Sequence, residues 1–176
     1  MPAWRHVIDR FHTDGVTNVQ WDFSPSRNAF SDDTSSPVTI WAGFYPGNAY
    51  VDVCGTQIYN HQDQLLGVQD DPHFVNFYNQ CGSTGKELML SETGAMSQTQ
   101  SCPYTLVHSD PSPQERWYHS FQANLIGTFP ALTKFVNFSR PDAPGGPGGC
   151  IDYTLGGNGL TAFKTMAGKT SFSKMP

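Results

Sequence analysis

The stretch KELMLSETGAM, from Lys86 to Met96, decides how this chain is read. Leu88, Met89, Leu90 and Ser91 lead without a charged break into Glu92, and Gly94 follows two positions later. An unbroken apolar run of this kind describes a strand covered on both faces, as in the parallel sheets of α/β proteins. Its last residue, Glu92, either stands at a working surface or wastes a charge, because burying an unpaired carboxylate is costly. In α/β proteins the carboxyl ends of parallel strands are where chemistry is carried out. Glu92 has that address only if parallel strands surround it.

Working outward, the pattern supplies them. Ala3–Asp14 reads as a helix with Trp4, Val7, Ile8 and Phe11 on one face and Gly15 as its stop. Asn18–Ser26 reads as a strand ended by Pro25, followed by a polar loop, a turn at Tyr45–Gly47, and a second strand within Tyr50–Asn60. Asp71 and Pro72 cap a helix that Gly82 ends, and Lys86–Glu92 is the third strand. A long loop from Gly94 carries Cys102. Ser112 and Pro113 then open an amphipathic helix whose Trp117–Phe121–Leu125 stripe is a core face. Leu132–Ser139 is the fourth strand, RPDAPGGPGG a loop, and Gly159–Ala167 a last helix.

Strands alternating with helices imply parallel βα units in an α/β fold, with the longer loops before the helices on the functional side. A closed (β/α)8 barrel needs eight strands and roughly 250 residues. The sequence therefore reads as the C-terminal half of a TIM barrel, four parallel βα units corresponding to strands five to eight. It is expected to form one partial catalytic domain over residues 1–170, with a loose tail at 171–176.

Composition narrows the function. The 176 residues carry a formal net charge of −5, with 38% hydrophobic and 14% charged residues. No basic footprint for nucleic acid or acidic membranes is present, and the chain is not a disordered polymer. No apolar run is long enough to span a membrane. MPAWRHVIDRFH lacks the apolar core of a signal peptide, so no export signal is expected within it. Aromatic residues make up 13%; with many Asn, Gln, Ser, Thr and Gly they suit sugars, which present apolar ring faces and hydroxyls. The four cysteines, Cys54, Cys81, Cys102 and Cys150, form no Cys-x-x-Cys pair. Their even count and wide spacing fit two disulfides in an oxidising compartment, with free core cysteines as the alternative. The histidines show no ligand spacing, so no metal or other cofactor is expected. GGPGG (145–149) lacks the Lys-Ser/Thr of a phosphate loop. Asn137-Phe138-Ser139 is a glycosylation sequon on a buried strand and is expected to be unmodified.

Four segments occur in the order seen in glycoside hydrolase family 26. They are AWRHVIDRFHTDGVTNVQWDFSPS (3–26), FYPGNAYVDVCGTQIYN (44–60), KELMLSETGA (86–95) and RWYHSFQANLIGTFPALTKFVNFS (116–139). The chain resembles the C-terminal half of that family's catalytic domain; its members are mostly endo-β-1,4-mannanases on a (β/α)8 barrel. The resemblance implies that Glu92 is the catalytic nucleophile, ending the seventh barrel strand, and that Tyr59, at the end of strand six, hydrogen-bonds it and holds it ionised. Retaining hydrolysis needs two carboxyls about 5–5.5 Å apart, one nucleophile and one acid/base. The family's acid/base is a Glu following a His at the end of strand four, which no segment here matches. Where the family usually has a Trp near the end of strand eight, this chain has Phe138 or Ser139. Asn48 replaces a common Asp, and Asp22 stands where an apolar residue is more usual. Glu87 begins its strand and Glu115 opens a helix, so neither substitutes for the missing acid. Tyr59, Phe138 and Trp41 are the candidate substrate-binding residues.

The expected function is that of a glycosidase fragment, inactive alone, acting on mannan or a related β-glycan and found outside the cell. A non-catalytic carbohydrate-binding or half-barrel assembly protein is the alternative, since open sheet edges permit self-association. A different sugar-cleaving barrel family is a third reading. On barrel geometry, Cys54 points outward near the bottom of its strand, where the following helix returns with Cys81. Cys102 and Cys150 lie in adjacent top-face loops. The expected pairs are thus Cys54–Cys81 and Cys102–Cys150.

Overall fold

The computed structural model describes residues 1–31, 41–60, 67–96, 112–139 and 153–168. Its strands are β1 (Asp22–Phe23), β2 (Val53–Asn60), β3 (Glu87–Ala95) and β4 (Leu132–Asn137). They form a single sheet in the order β1-β2-β3-β4, every neighbouring pair parallel. The helices are α1 (Pro2–Thr13), a single turn α2 (Trp41–Phe44), α3 (Pro72–Gly82), α4 (Pro113–Ser120), α5 (Ile126–Thr128) and α6 (Gly157–Ala167), with a π turn (Phe121–Leu125) joining α4 to α5. Four parallel βα units in an α/β fold are what the sequence predicts.

Local chemistry explains the boundaries. The Asp71 carboxylate accepts from the His73 N–H at 2.8 Å and so caps α3, whose first residue is Pro72. Ser112 Oγ accepts from the Glu115 N–H at 3.1 Å and does the same for α4. Each cap satisfies a backbone donor that the helix itself leaves open. The first strand is only two residues long, against the expected Asn18–Ser26. It pairs on one side only, with β2, and Pro25 has no N–H to extend the ladder. Just before it the Trp21 N–H turns to the Asp52 carboxylate at 2.8 Å instead. Conversely, β3 runs three residues past Glu92, to Ala95.

The core lies between one face of the sheet and the helices. Ile58, Leu88 and Leu90 from the strands meet Phe74 and Phe77 of α3, Trp117 of α4 and Phe121, all fully buried. Burying each such side chain is worth about 1.5–3 kcal/mol. The predicted Trp117–Phe121 stripe is thus a core face. On α1 only Ile8 is fully buried; Trp4 packs edge-on to Phe23, while Val7 and Phe11 are 46% and 38% exposed. Residues Gly55, Gln57 and Tyr59 alternate with the core residues and line the other face of β2. Asn137 of the sequon accepts a hydrogen bond from the Tyr118 hydroxyl and donates to the Phe138 carbonyl at 3.2 Å, so its amide is engaged. Among the described residues no helix is long and apolar enough to cross a membrane.

Candidate active site

A β-bulge aims Glu92. Strand β3 pairs with β2 residue for residue from Val53↔Glu87 to Thr56↔Leu90, and the next pair is Gln57↔Glu92. Ser91 is thereby left without a partner on β2. Leu88 and Leu90 enter the helix-side core, and strict alternation would send Glu92 after them. The extra residue reverses the parity and brings Glu92 onto the face of Gln57 and Tyr59. Bulges of this kind re-aim side chains beside active sites. The bulged Ser91 is itself anchored: its hydroxyl donates to Asp22 Oδ2 at 2.5 Å, across β2. Gly55 makes that crossing possible, because a Cβ there would lie 2.0 Å from Ser91 Oγ and 2.5 Å from Asp22 Oδ1. After the bulge the pairing resumes as Ile58↔Thr93, Tyr59↔Gly94 and Asn60↔Ala95.

Above the bulge, three rings gather around the carboxylate. The Tyr59 hydroxyl hydrogen-bonds Glu92; burial first, then this bond and the carboxylate's charge, hold the phenol well above its usual ionisation range. The Tyr59 ring lies 5.2 Å from Tyr153 and 5.9 Å from Phe138, centroid to centroid, and Phe138 lies 5.6 Å from Tyr153. Tyr153 is 5% exposed; burial and then the Glu92 charge raise its phenol as well. Gly94 gives the rings their space. A Cβ on it would meet Tyr153 Cδ1 at 3.2 Å, the Phe138 carbonyl at 3.3 Å and Tyr59 Cε1 at 3.4 Å.

The other carboxylates of this face are engaged elsewhere. Glu87, at the opposite end of β3, accepts from Lys134 Nζ at 2.7 Å and from the Thr133 hydroxyl at 2.5 Å, and the Lys134 bond chiefly holds its carboxyl below the usual range. Asp22 is pushed up by burial, against the opposing Ser91 bond and Lys134 charge. Its Oδ1 is buried without a hydrogen-bond partner among the described residues.

The structure thus brings together Glu92, Tyr59 and Phe138, but not Trp41. The Trp41 ring packs against Phe30 at 6.2 Å and Tyr45 at 4.8 Å, at the margin of the helix-side core. There it adds apolar bulk to that core. Two residues escape the sequence reading. Tyr153 is one, an aromatic just before α6 whose only sequence signal is its place beyond the Gly/Pro loop. Gln114 is the other; its buried amide donates to the Ala95 and Thr154 carbonyls, both at 3.0 Å.

Cys54 and Cys81 are both fully buried and stand side by side as free thiols, so the expected bridge between them is not closed in this structure. Their mutual hydrogen bond lowers Cys54 and raises Cys81. The Asn48 amide organises the turn beside them, accepting from the Tyr45 hydroxyl at 2.8 Å and donating to the Thr84 carbonyl at 2.9 Å. An Asp at 48 has no N–H for the second bond. Cys102, Cys150 and the 171–176 tail lie outside the described residues.

Comparison with known proteins gives this geometry a family. Endoglucanase H of Acetivibrio thermocellus is 33% identical over 94 residues, which are 51% of this chain and 10% of that protein. A Cellulomonas fimi endo-β-1,4-mannanase double mutant superposes on 97% of this chain with a TM-score of 0.57 at 16% identity, using 35% of its own length. The catalytic domain of the Bacillus sp. JAMB-750 endo-β-1,4-mannanase superposes on 97% with a TM-score of 0.56 at 14% identity, using 44% of its length. The chain spans about a tenth of the curated relative, and its four parallel βα units superpose on about a third of the Cellulomonas fimi mannanase. Residues 2–125, from α1 through the bulge at Glu92 and into the helical layer beyond it, match the sequence model described as glycosyl hydrolase family 26, and the chain belongs to that family.

Proposed function

We propose that Glu92 is the nucleophile of a retaining β-glycosidase whose acid/base lies on a part of the barrel outside these residues. The observation that carries this reading is the Tyr59–Glu92 hydrogen bond on the face to which the bulge turns Glu92. In the complete enzyme the Glu92 carboxylate attacks the anomeric carbon and the leaving oxygen takes a proton from the acid/base. The resulting glycosyl ester is cleaved by water once that second group has become a base. Tyr59 orients the nucleophile. Phe138 offers the reacting sugar an aromatic edge in place of a larger ring.

The substrate proposed is a mannan-type polysaccharide, supported by the endo-β-1,4-mannanases that share the fold. A β-1,4-glucan is the second reading, favoured by the endoglucanase that matches in sequence. We also infer an extracellular enzyme in which Cys54 and Cys81, already adjacent, lose their two hydrogens to the oxidant of that compartment and form a bridge, with Cys102 paired to Cys150. Residues 1–170 act as the partial catalytic domain.

One carboxylate cannot run the cycle, so the isolated chain is expected to release no oligosaccharide from mannan or from β-1,4-glucan. Joining it to a strand-one-to-four half that supplies a Glu should restore release. Clear turnover by the 176-residue chain alone would contradict the reading. Glucan cleaved in preference to mannan would select the second substrate. The apolar side chains left exposed, Val7, Phe11 and Val136, favour an assembly role through the open barrel side, which a concentration-dependent shift in size-exclusion elution would reveal.

A further inference from the structure

We propose that Tyr153 and Gln114 are positioning residues of the Glu92 centre: Gln114 fastens the segment carrying Tyr153 to the end of β3, and the Tyr153 ring holds Tyr59 on Glu92. This rests on Glu92 and Tyr59 forming the reactive centre.

The Tyr59 side chain needs such a device. Its backbone pairs with Gly94, which has no side chain to support the ring. The rings of Phe138 and Tyr153 lie against it, 5.9 Å and 5.2 Å away, beside the bare Gly94 backbone. Phe138 directly follows β4 and is placed by the sheet, its N–H bonded to the Thr93 carbonyl at 2.8 Å. Tyr153 has no strand to place it. It lies between β4 and α6, next to Thr154, whose carbonyl takes one of the two Gln114 hydrogen bonds. The other goes to Ala95, the residue after Gly94. One buried amide thus spans the end of β3 and the Tyr153 segment, and both of its donor hydrogens are used.

The packing around Gln114 is specific to it. A Cβ on Gly159 of α6 would sit 2.4 Å from Gln114 Oε1 and 2.7 Å from its Cβ, so a glycine there lets α6 close over the amide. Gln114 is 2% exposed and Tyr153 5%, so neither ring nor amide offers a face to a sugar. Their action is on Tyr59.

The test reads the Tyr59–Glu92 bond directly in this chain. With tyrosines labelled at ¹³Cζ, the Tyr59 resonance is followed from about pH 7 to about pH 3, across the ordinary carboxylate range. It should show an acid step that Glu92→Gln removes. Gln114→Met and Tyr153→Leu should each lose more than half of that step, whereas Tyr153→Phe, which keeps the ring, should retain it. The Tyr45 resonance, from the opposite side of the fold, reports that each variant is folded. Tyr153 stands outside the sheet, so Tyr153→Leu decides the matter even where Gln114→Met fails to fold. A Tyr59 step untouched by Glu92→Gln would refute the centre itself. A step abolished by Glu92→Gln but intact in folded Tyr153→Leu would refute the positioning role alone.

Discussion

Tyr59 and Glu92 are joined by a hydrogen bond although they are not register partners: Tyr59 pairs with Gly94, and Glu92 with Gln57. The bond runs diagonally between β2 and β3 on the face away from the helical core. A hydrogen bond to a charged group is worth roughly 1.5–3 kcal/mol, and about 1.4 kcal/mol is a factor of ten in rate. Tyr59→Phe in the complete enzyme should therefore lower kcat/KM by about 10- to 150-fold while the fold is kept. An unchanged kcat/KM would show that the bond does not serve the reaction.

The Ser91 hydroxyl should contribute to stability through its bond to Asp22. Ser91→Ala keeps the extra residue and loses only the bond to Asp22, an expected cost of about 1–3 kcal/mol measured by urea unfolding. An unfolding midpoint equal to the parent's would show that the Ser91–Asp22 bond does not anchor the bulge.

Asp22→Asn tests the polar interior through pH. Burial raises the Asp22 pKa in the folded state, so folding favours its protonated form. The stability this contributes is fully present below the unfolded value of about 3.9 and is lost as pH rises through the folded value. The Asn variant lacks that dependence. Its melting temperature should gain on the parent as pH rises from about 4 to 7, and a gap independent of pH would argue against a raised Asp22.

Much of this was legible in the sequence, and the limits have physical causes. Alternating strand and helix patterns, with Asp71 and Ser112 as caps, predict the four parallel units because these signals are local. A carboxylate ending an apolar run marks Glu92, and the family resemblance adds Tyr59. The bulge was not legible: alternation alone groups Glu92 with Leu88 and Leu90, and only the register with β2 shows Ser91 to be the extra residue. Tyr153 and Gln114 depend on contacts between distant segments, which no local pattern encodes. The core packing of Trp41 was not legible either, because an aromatic before a loop reads the same whether it serves a site or a core.

Glu92→Ala in the complete enzyme should lower kcat by at least about 10²- to 10⁴-fold, with an unchanged circular dichroism spectrum. Glu92 is only partly buried on the face away from the helical core, so its side chain adds little to packing. Activity close to the parent's would place the nucleophile elsewhere.

The most direct measurement is chemical capture of the intermediate. A 2-deoxy-2-fluoro glycosyl donor slows both steps of a retaining glycosidase and lets the covalent ester accumulate. Incubated with an enzyme containing this chain and a strand-one-to-four half, then digested and mass-mapped, it should label the peptide holding Glu92, with the modification on that residue. A stable label on any other carboxylate, or inverted product with no label at all, would contradict the account.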